Sequence, residues 1–370
     1  MEDIKRCTRC IIPTNLPSVK PDKYGVCNYC RKYENLYSNL DDTKEQRKKQ
    51  FEDIIHKVKK LNRHYDCLIT LSGGKDSTYS LYLCSKVYGL KCLCITLDNG
   101  FLSDHAKANI KSAIEISGAD HIFYTVNRDT MLKLYRYSLV KSGMLCSPCM
   151  KGIEACGLIA SKAFNPPLYV HGNSTKIGYA VYPELTAAGE IFRNLIKDDP
   201  IESEANQLIA GDRHKYFNAI NRLLFRWSYK VPRIISIHDY FDVSREELYD
   251  TIRREMNWTA PEEETEHMDC LIHEVPFYMH KLKFPELTKK TAFLAGQVRF
   301  NEMSREEALE IENKELFEGK KPKVLEHFLD EINMSEDEFE FHAKDWKRVD
   351  KFRSKTRNYL VSLYHRIVKG

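Results

Sequence analysis

Five short apolar runs punctuate residues 65–240: CLITL, CLCITLD, HIFYTVN, LYVHGN and RIISIHDY. They are apolar throughout rather than alternating, as strands must be when both faces of a sheet are covered. Stretches of helical length separate them, among them DSTYSLYLCSKVYG, SDHAKANIKSAIEISG and GIEACGLIASKAF. Helical crossovers between apolar strands predict βαβ units. The expected fold is therefore α/β, a doubly wound parallel sheet. Upstream, DDTKEQRKKQFEDIIHKVKKLN over residues 41–62 sets Phe51, Ile54, Ile55, Val58 and Leu61 at helical spacing, which predicts an amphipathic linker helix. Beyond residue 240 the pattern is helical, and Ser244/Glu247 and Ser304/Glu307 read as capping boxes. Residues 1–35 are punctuated by Cys and Pro and show little periodicity. The chain thus divides into a Cys-rich knuckle (1–38), a linker helix (39–64), an α/β domain (65–240) and a helical C-terminal region (241–370), without internal repeats.

Composition adds constraints. With 42% hydrophobic and 30% charged residues, the chain has the make-up of an ordinary soluble protein. No apolar stretch approaches the roughly 20 residues that span a bilayer, and Met1-Glu2-Asp3-Ile4-Lys5-Arg6 runs directly into cysteines without a signal-like segment. The expectation is a cytoplasmic protein with no membrane partner. Twelve cysteines is a high count, and in a reducing compartment grouped cysteines read as metal ligands before disulfides. The net charge of +4 is too small to argue for nucleic acid. The stretch KDWKRVDKFRSKTRNYLVSLYHRIVKG is locally basic; it suits a solvated helix face, a surface for a phosphate-bearing substrate, or a homodimer contact.

The most informative stretch is S-G-G-K-D-S. The run CLITL delivers Ser72-Gly73-Gly74 at its carboxyl end, and Asp76-Ser77 opens the next helix. Glycine lets the backbone turn sharply and aim its N–H groups at phosphate oxygens. The helix N-terminus adds partial positive charge and Lys75 a full one. The Walker pattern is absent, because no glycine precedes a G-K-[ST] at the required spacing. An ordinary strand–turn–helix corner is the alternative reading.

S-G-G-K-D-S after the first strand resembles the PP-loop ATP pyrophosphatase superfamily, the adenine nucleotide alpha hydrolase-like proteins. That resemblance implies that ATP binds on this loop and is cleaved between its α and β phosphates. AMP goes to a substrate oxygen and leaves when a nitrogen or sulfur nucleophile attacks. It further implies that Asp76 helps place Mg2+ on the pyrophosphate, that Ser72 and Ser77 hold phosphates, and that Lys75 and Asp76 are catalytic. The second strand's end, ITLDNGF, occupies the adenosine-contacting position, a role that falls to Thr96, Leu97 and Asp98. VHGNSTKIGY lies where many relatives carry a Gly-His/Asn-x-x-Asp-Asp loop; His171, Gly172 and Asn173 match, the acidic pair is missing, and Lys176 is left to serve phosphate.

Two cysteine constellations accompany the loop. Cys7-x-x-Cys10 and Cys27-x-x-Cys30, sixteen residues apart, suit a tetrahedral thiolate site with Zn2+ as the default metal. A segment this short buries no core of its own, so ligation would supply its folding energy. The second set is Cys146-Ser147-Pro148-Cys149 plus the distant Cys270 in EHMDCLIHE. It resembles the [4Fe–4S] site of PP-loop tRNA-thiolating enzymes, in which three protein ligands leave one iron open to carry hydrosulfide; Cys146 and Cys149 would then be catalytic. A second zinc site, a redox pair and plain packing are the alternatives. Cys67, Cys84, Cys92, Cys94 and Cys156 fall at apolar strand or helix positions and read as core.

Over residues 7–315 the chain also resembles one branch of the superfamily, the N-acetyl sugar amidotransferases. CTRCIIPTNLPSVKPDKYGVCNYCRKYE, YDCLITLSGGKDSTY, the C-x-x-C pair, MDCLIH and MSREEAL follow in the same order. It departs between the last two, where those enzymes carry a Gly-Arg-Ala-Thr type segment and this chain reads KLKFPELTKKTAFLAGQVRFN. Two functions follow as expectations. One is adenylation of a carbonyl or amide oxygen and its replacement by sulfur from a sulfur donor through the cysteine trio. The other is amidation of an N-acetyl sugar with ammonia from a glutaminase subunit. The acceptor is a small molecule, a sugar nucleotide or RNA.

Overall fold

The computed structural model describes residues 4–16, 19–37, 44–172, 188–209, 232–241, 243–260, 269–288, 290–300, 303–315 and 321–345. Asn173, Lys176 and all of the basic C-terminal stretch beyond residue 345 lie outside them.

All five apolar runs are strands of one parallel sheet: β1 (Cys67–Thr70), β2 (Cys92–Asp98), β3 (Asp120–Thr125), β4 (Leu168–His171) and β5 (Arg233–Ser236). Their order is β3-β2-β1-β4-β5, with Thr70 opposite Ile95 and His171 opposite Ser236. The chain winds outward from β1 through β2 to β3, then returns to the other side of β1 as β4. The order therefore reverses between β1 and β4, and the crevice outside the carboxyl ends at such a reversal is where open α/β sheets take ligands.

Helices α1 (Asn28–Tyr37), α2 (Lys44–Lys60), α3 (Lys75–Tyr82), α4 (Asp104–Ser117), α5 (Arg128–Ser142), α6 (Ser147–Phe164), α7 (Ala188–Ile196) and α8 (Asn206–Ile209) precede β5. After it come α9 (Arg245–Met256), α10 (Glu274–Lys283), α11 (Thr291–Arg299), α12 (Arg305–Glu315), α13 (Val324–Glu331) and α14 (Glu336–Lys344). Both sheet faces are covered, as the apolar strands require. Cys67, Ile69, Cys94 and Val170 pack with Phe51, Leu81, Ile110 and Ile252 on one face; Leu68, Leu93, Ile95 and Tyr169 meet Leu158 and Ala160 of α6 on the other. Strand β3, at the sheet edge, is only partly covered, and Phe123 is 49% exposed.

The linker helix is part of this body: Phe51 is fully buried and meets Tyr88 and Phe241 edge-on. Helix α9 joins the same core through Leu248, Tyr249 and Ile252. It starts where the capping pattern places it, Glu247 N–H donating to Ser244 Oγ at 3.1 Å; Ser304 accepts likewise from Glu307 at the start of α12. A second cluster gathers Tyr135, Leu139, Phe192, Phe328 and Phe339 from α5, α7, α13 and α14. A third joins the N-terminal knuckle to α11 and α12 through Ile11, Ile12, Leu294, Ala295 and Ala308.

Candidate functional site

The 72–77 turn sits at the carboxyl end of β1, beside the sheet's reversal point. Gly73 adopts φ +77°, a left-handed conformation that favours glycine. A Cβ there would come 2.9 Å from the Ala106 Cα. Its carbonyl accepts from Trp258 Nε1 at 2.9 Å and from Asn109 Nδ2 at 3.4 Å. Asn109 in turn bonds both polar backbone groups of Thr259. The turn is closed on itself by its serines: Ser72 N–H donates to Ser77 Oγ at 3.2 Å, Gly74 N–H to Ser72 Oγ at 3.3 Å, and Ser77 Oγ to the Gly74 carbonyl at 3.1 Å. Gly74 caps α3, so Lys75 and Asp76 occupy its first turn. Just after β4, Gly172 packs so closely that a Cβ on it would lie 2.8 Å from Ser77 N.

Charges flank this turn. Asp76 lies 3.4 Å from Lys75 Nζ and 3.5 Å from Nε2 of His238. His238 comes from the turn after β5 and stacks on Tyr79 with ring centroids 6.3 Å apart. His171 ends β4, its Nδ1 3.4 Å from Thr70 Oγ1. The β2 residues are placed differently. Thr96 is buried inside the sheet, its hydroxyl donating to the Leu71 carbonyl and 2.8 Å from His121 Nε2. Burial lowers His121 to about 4, so this imidazole is neutral. Leu97 packs toward Gly152 of α6, and Asp98 Oδ1 accepts from Gly100 N–H at 3.0 Å.

The second cysteine set is brought together. Leu102 and Cys270 form an antiparallel bridge, with Ser103 N–H donating to the Asp269 carbonyl at 3.0 Å and Leu271 N–H to the Phe101 carbonyl at 2.8 Å. This clip fastens Cys270 beside the segment that follows β2. There Asn99 Nδ2 lies 3.3 Å from both Cys149 Sγ and Tyr135 Oη. Of the twelve cysteines, nine are buried; Cys146, Cys149 and Cys270 alone are partly exposed. Local desolvation, with the Cys149 and Asp269 charges adding to it, pushes the Cys270 thiol up to about 12. Desolvation raises Cys146 and Cys149 too, neighbouring sulfurs adding for Cys146. Among the described residues, Cys7, Cys10, Cys27 and Cys30 are the one group of three or more potential ligands whose atoms all lie within 4.8 Å of one another. The trio is thus more widely spread than a single tetrahedral ion needs, whereas a polynuclear cluster holds each thiolate on a different iron and separates them further.

The first set fits one metal ion. All four cysteines are fully buried, with Cys7 and Cys30 Sγ 4.0 Å apart and Cys10 and Cys27 Sγ 3.9 Å apart. A tetrahedral Zn2+ at about 2.3 Å from each sulfur spaces its ligands by about 3.8 Å. Backbone N–H groups of Cys10 and Cys27 donate to Cys7 Sγ at 3.5 and 3.2 Å. Hydrogen bonding from Cys10, then Cys27 and Cys30, holds Cys7 well below the usual thiol value. Arg299 Nη1 donates to Cys10 Sγ at 3.8 Å, and Arg305 to the carbonyls of Cys7 and Cys10. Alongside, Arg6 and the fully buried Glu312 form an ion pair at 2.7 Å.

Sequence reasoning passed over Asn99, His238, Asp269, Tyr135 and Trp258. Three had a signal: Asn99 and His238 follow the carboxyl ends of β2 and β5, and Asp269 adjoins Cys270. Tyr135 and Trp258 reach the site from helix α5 and from the residue after the C-cap of α9, with no local mark.

Similarities to known proteins extend this picture. The model of the LPS biosynthesis protein WbpG-like C-terminal domain matches residues 275–367. An uncharacterized protein of Methanocaldococcus jannaschii, MJ1599, is 26% identical over 152 residues, 41% of this chain and 53% of the relative; the chain thus spans about half the length of the curated relative it matches. Among solved structures, the U34-tRNA thiolase NcsA from Methanococcus maripaludis, with its [4Fe–4S] cluster, aligns over 88% of this chain and 92% of that one. Identity is 15% and the TM-score 0.34, too slight a likeness to argue from.

Proposed function

We propose that the chain is an AMP-forming, ATP-dependent transferase that adenylates the acetamido oxygen of an N-acetyl sugar and replaces it with nitrogen. The observation that carries the first half is the Gly73–Gly74 turn at the carboxyl end of β1, beside the sheet's reversal point, where Gly74 caps the start of α3. A polyphosphate suits that cradle. In the reaction the amide oxygen attacks the α-phosphorus of ATP and pyrophosphate leaves. Ammonia then adds to the activated carbon, loses a proton, and AMP departs with the former carbonyl oxygen. The acetamido group becomes an acetamidino group. Lys75 offsets charge on the phosphates, Ser72 and Ser77 hold the loop in shape, and Asp76 is the cation-side carboxylate. Mg2+, when bound, neutralises the pyrophosphate as a leaving group.

The match of residues 275–367 to a lipopolysaccharide biosynthesis domain supports a sugar acceptor, as does the resemblance of the earlier motifs to N-acetyl sugar amidotransferases. The ammonia comes from a glutaminase subunit. A second reading, replacement by sulfur, is favoured by one observation: the three partly exposed cysteines gathered around Asn99 and Tyr135. These residues would hold a [4Fe–4S] cluster, which supplies a site for hydrosulfide when bound. The Cys7, Cys10, Cys27 and Cys30 set serves a Zn2+ with a structural role.

The test uses the whole chain with ATP, an N-acetyl amino sugar carried on a nucleotide and 18O-labelled in its acetamido group, and ammonium or sulfide. The label is expected in AMP, with ammonium giving a product slightly lighter than the acceptor. A heavier, sulfur-containing product moves the assignment to sulfur. Pyrophosphate without label in AMP overturns oxygen adenylation altogether.

A further inference from the structure

The clip that brings Cys270 to its partners also sets a carboxylate over the nucleotide turn. A Cβ built on Gly74 would lie 3.7 Å from Asp269 Oδ2, so that carboxylate stands against the second glycine of the cradle. Its backbone is held there by the Ser103–Asp269 hydrogen bond at 3.0 Å and the Leu102–Cys270 bridge. Asp76 stands on the α3 side of the same turn. Lys75, Asp76 and Asp269 thus stand against the turn, with the His238 imidazole beside Asp76. A carboxylate against the cradle opposes a bare polyphosphate, and a divalent cation held between that carboxylate and the phosphate oxygens reverses the opposition. The donor set suits such a cation: hard carboxylate oxygens beside a backbone turn that only glycine fits.

We propose that Asp269 is a ligand of the divalent cation that accompanies the nucleotide, reaching the turn from the segment paired with residues 101–103 and not from α3. Because Asp269 adjoins Cys270, the clip joins the nucleotide turn to the cysteine trio. The proposal rests on the nucleotide-binding reading above.

The experiment measures equilibrium binding of ATP by calorimetry, without acceptor, to the whole chain and to Asp269→Asn, first in EDTA and then across a Mg2+ titration. Two shifts of opposite sign are expected. Without the cation, Asp269→Asn binds ATP at least threefold more tightly than the unaltered chain, having lost an uncompensated charge. With saturating Mg2+ it binds more weakly, and its half-saturating Mg2+ concentration rises about tenfold. Asp269→Glu restores part of the Mg2+ response. A variant that weakens binding equally with and without Mg2+, or leaves both unchanged, overturns the role of Asp269 alone. No ATP binding by the unaltered chain under any condition overturns the nucleotide reading itself.

Discussion

Trp258 Nε1 donates a hydrogen bond to the Gly73 carbonyl at 2.9 Å, so a residue just past α9 fixes the conformation of the turn after β1. The indole is almost fully buried and tilts against Tyr249 with centroids 5.4 Å apart. Its N–H therefore has one geometry available. Replacing it with phenylalanine keeps most of the packing and removes the donor. Trp258→Phe is expected to lower stability by about 1–2 kcal/mol and to weaken ATP binding several-fold, checked by urea unfolding and by calorimetry. Unchanged ATP affinity would separate the turn's shape from its hydrogen bond.

Gly73 tolerates no side chain. Its φ of +77° costs an L-residue roughly 1 kcal/mol, and the new methyl would press on the Ala106 backbone of α4. Gly73→Ala is expected to lose ATP binding by at least tenfold, an estimate scaled from about 1.4 kcal/mol per decade. Circular dichroism should still report a folded sheet. Gly118→Ala is the control: its φ is +70° but nothing lies within 4 Å of its Cβ, so it should cost stability without touching ATP affinity.

Arg299 links the cysteine knuckle to α11. Its guanidinium meets Cys10 Sγ at 3.8 Å in a buried setting, where it would offset the negative charge of four thiolates holding a metal ion. Arg299→Met should speed metal transfer to a chromophoric chelator by about tenfold, in the range of changes around a metal's ligands. Because Leu294, Ala295 and Ala308 share a core with Ile11 and Ile12, chelation should also lower the melting temperature of the whole chain. Melting indifferent to chelator would disprove that coupling.

His280 gives the fold a pH dependence. Burial, with Lys283 adding to it, lowers this imidazole to about 3, against about 6.5 in an unfolded chain. The unfolded state therefore binds the proton first. The stabilisation is complete above pH 6.5 and falls as the pH drops below it, by about 1.4 kcal/mol per unit until the folded-state value is reached. At pH 5 the loss is roughly 2 kcal/mol relative to pH 7. Urea unfolding at several pH values should show this slope, and His280→Gln should flatten it; an equal slope in the variant would assign it to other groups.

What the sequence determined by itself is local. Five apolar runs separated by helical lengths specify a parallel sheet, because strands covered on both faces need no alternation; the edge strand β3 stays partly exposed despite its apolar sequence. Ser72 to Ser77 specify the turn, since glycine, hydroxyl and helix-start signals act within a few residues of one another. Each C-x-x-C pair likewise sets two sulfurs on one short turn. The tertiary structure decided what those pieces meet. Cys270 joins Cys146 and Cys149 only because residues 101–103 and 269–271 pair. Asp269 faces Gly74 by the same pairing, Trp258 reaches Gly73 from a later helix, and the knuckle finds its core on α11 and α12. Such contacts join segments far apart in the chain, where no spacing rule applies. They exist because buried polar groups and apolar faces had to find partners, and which partners they found was settled by the packing of the whole fold.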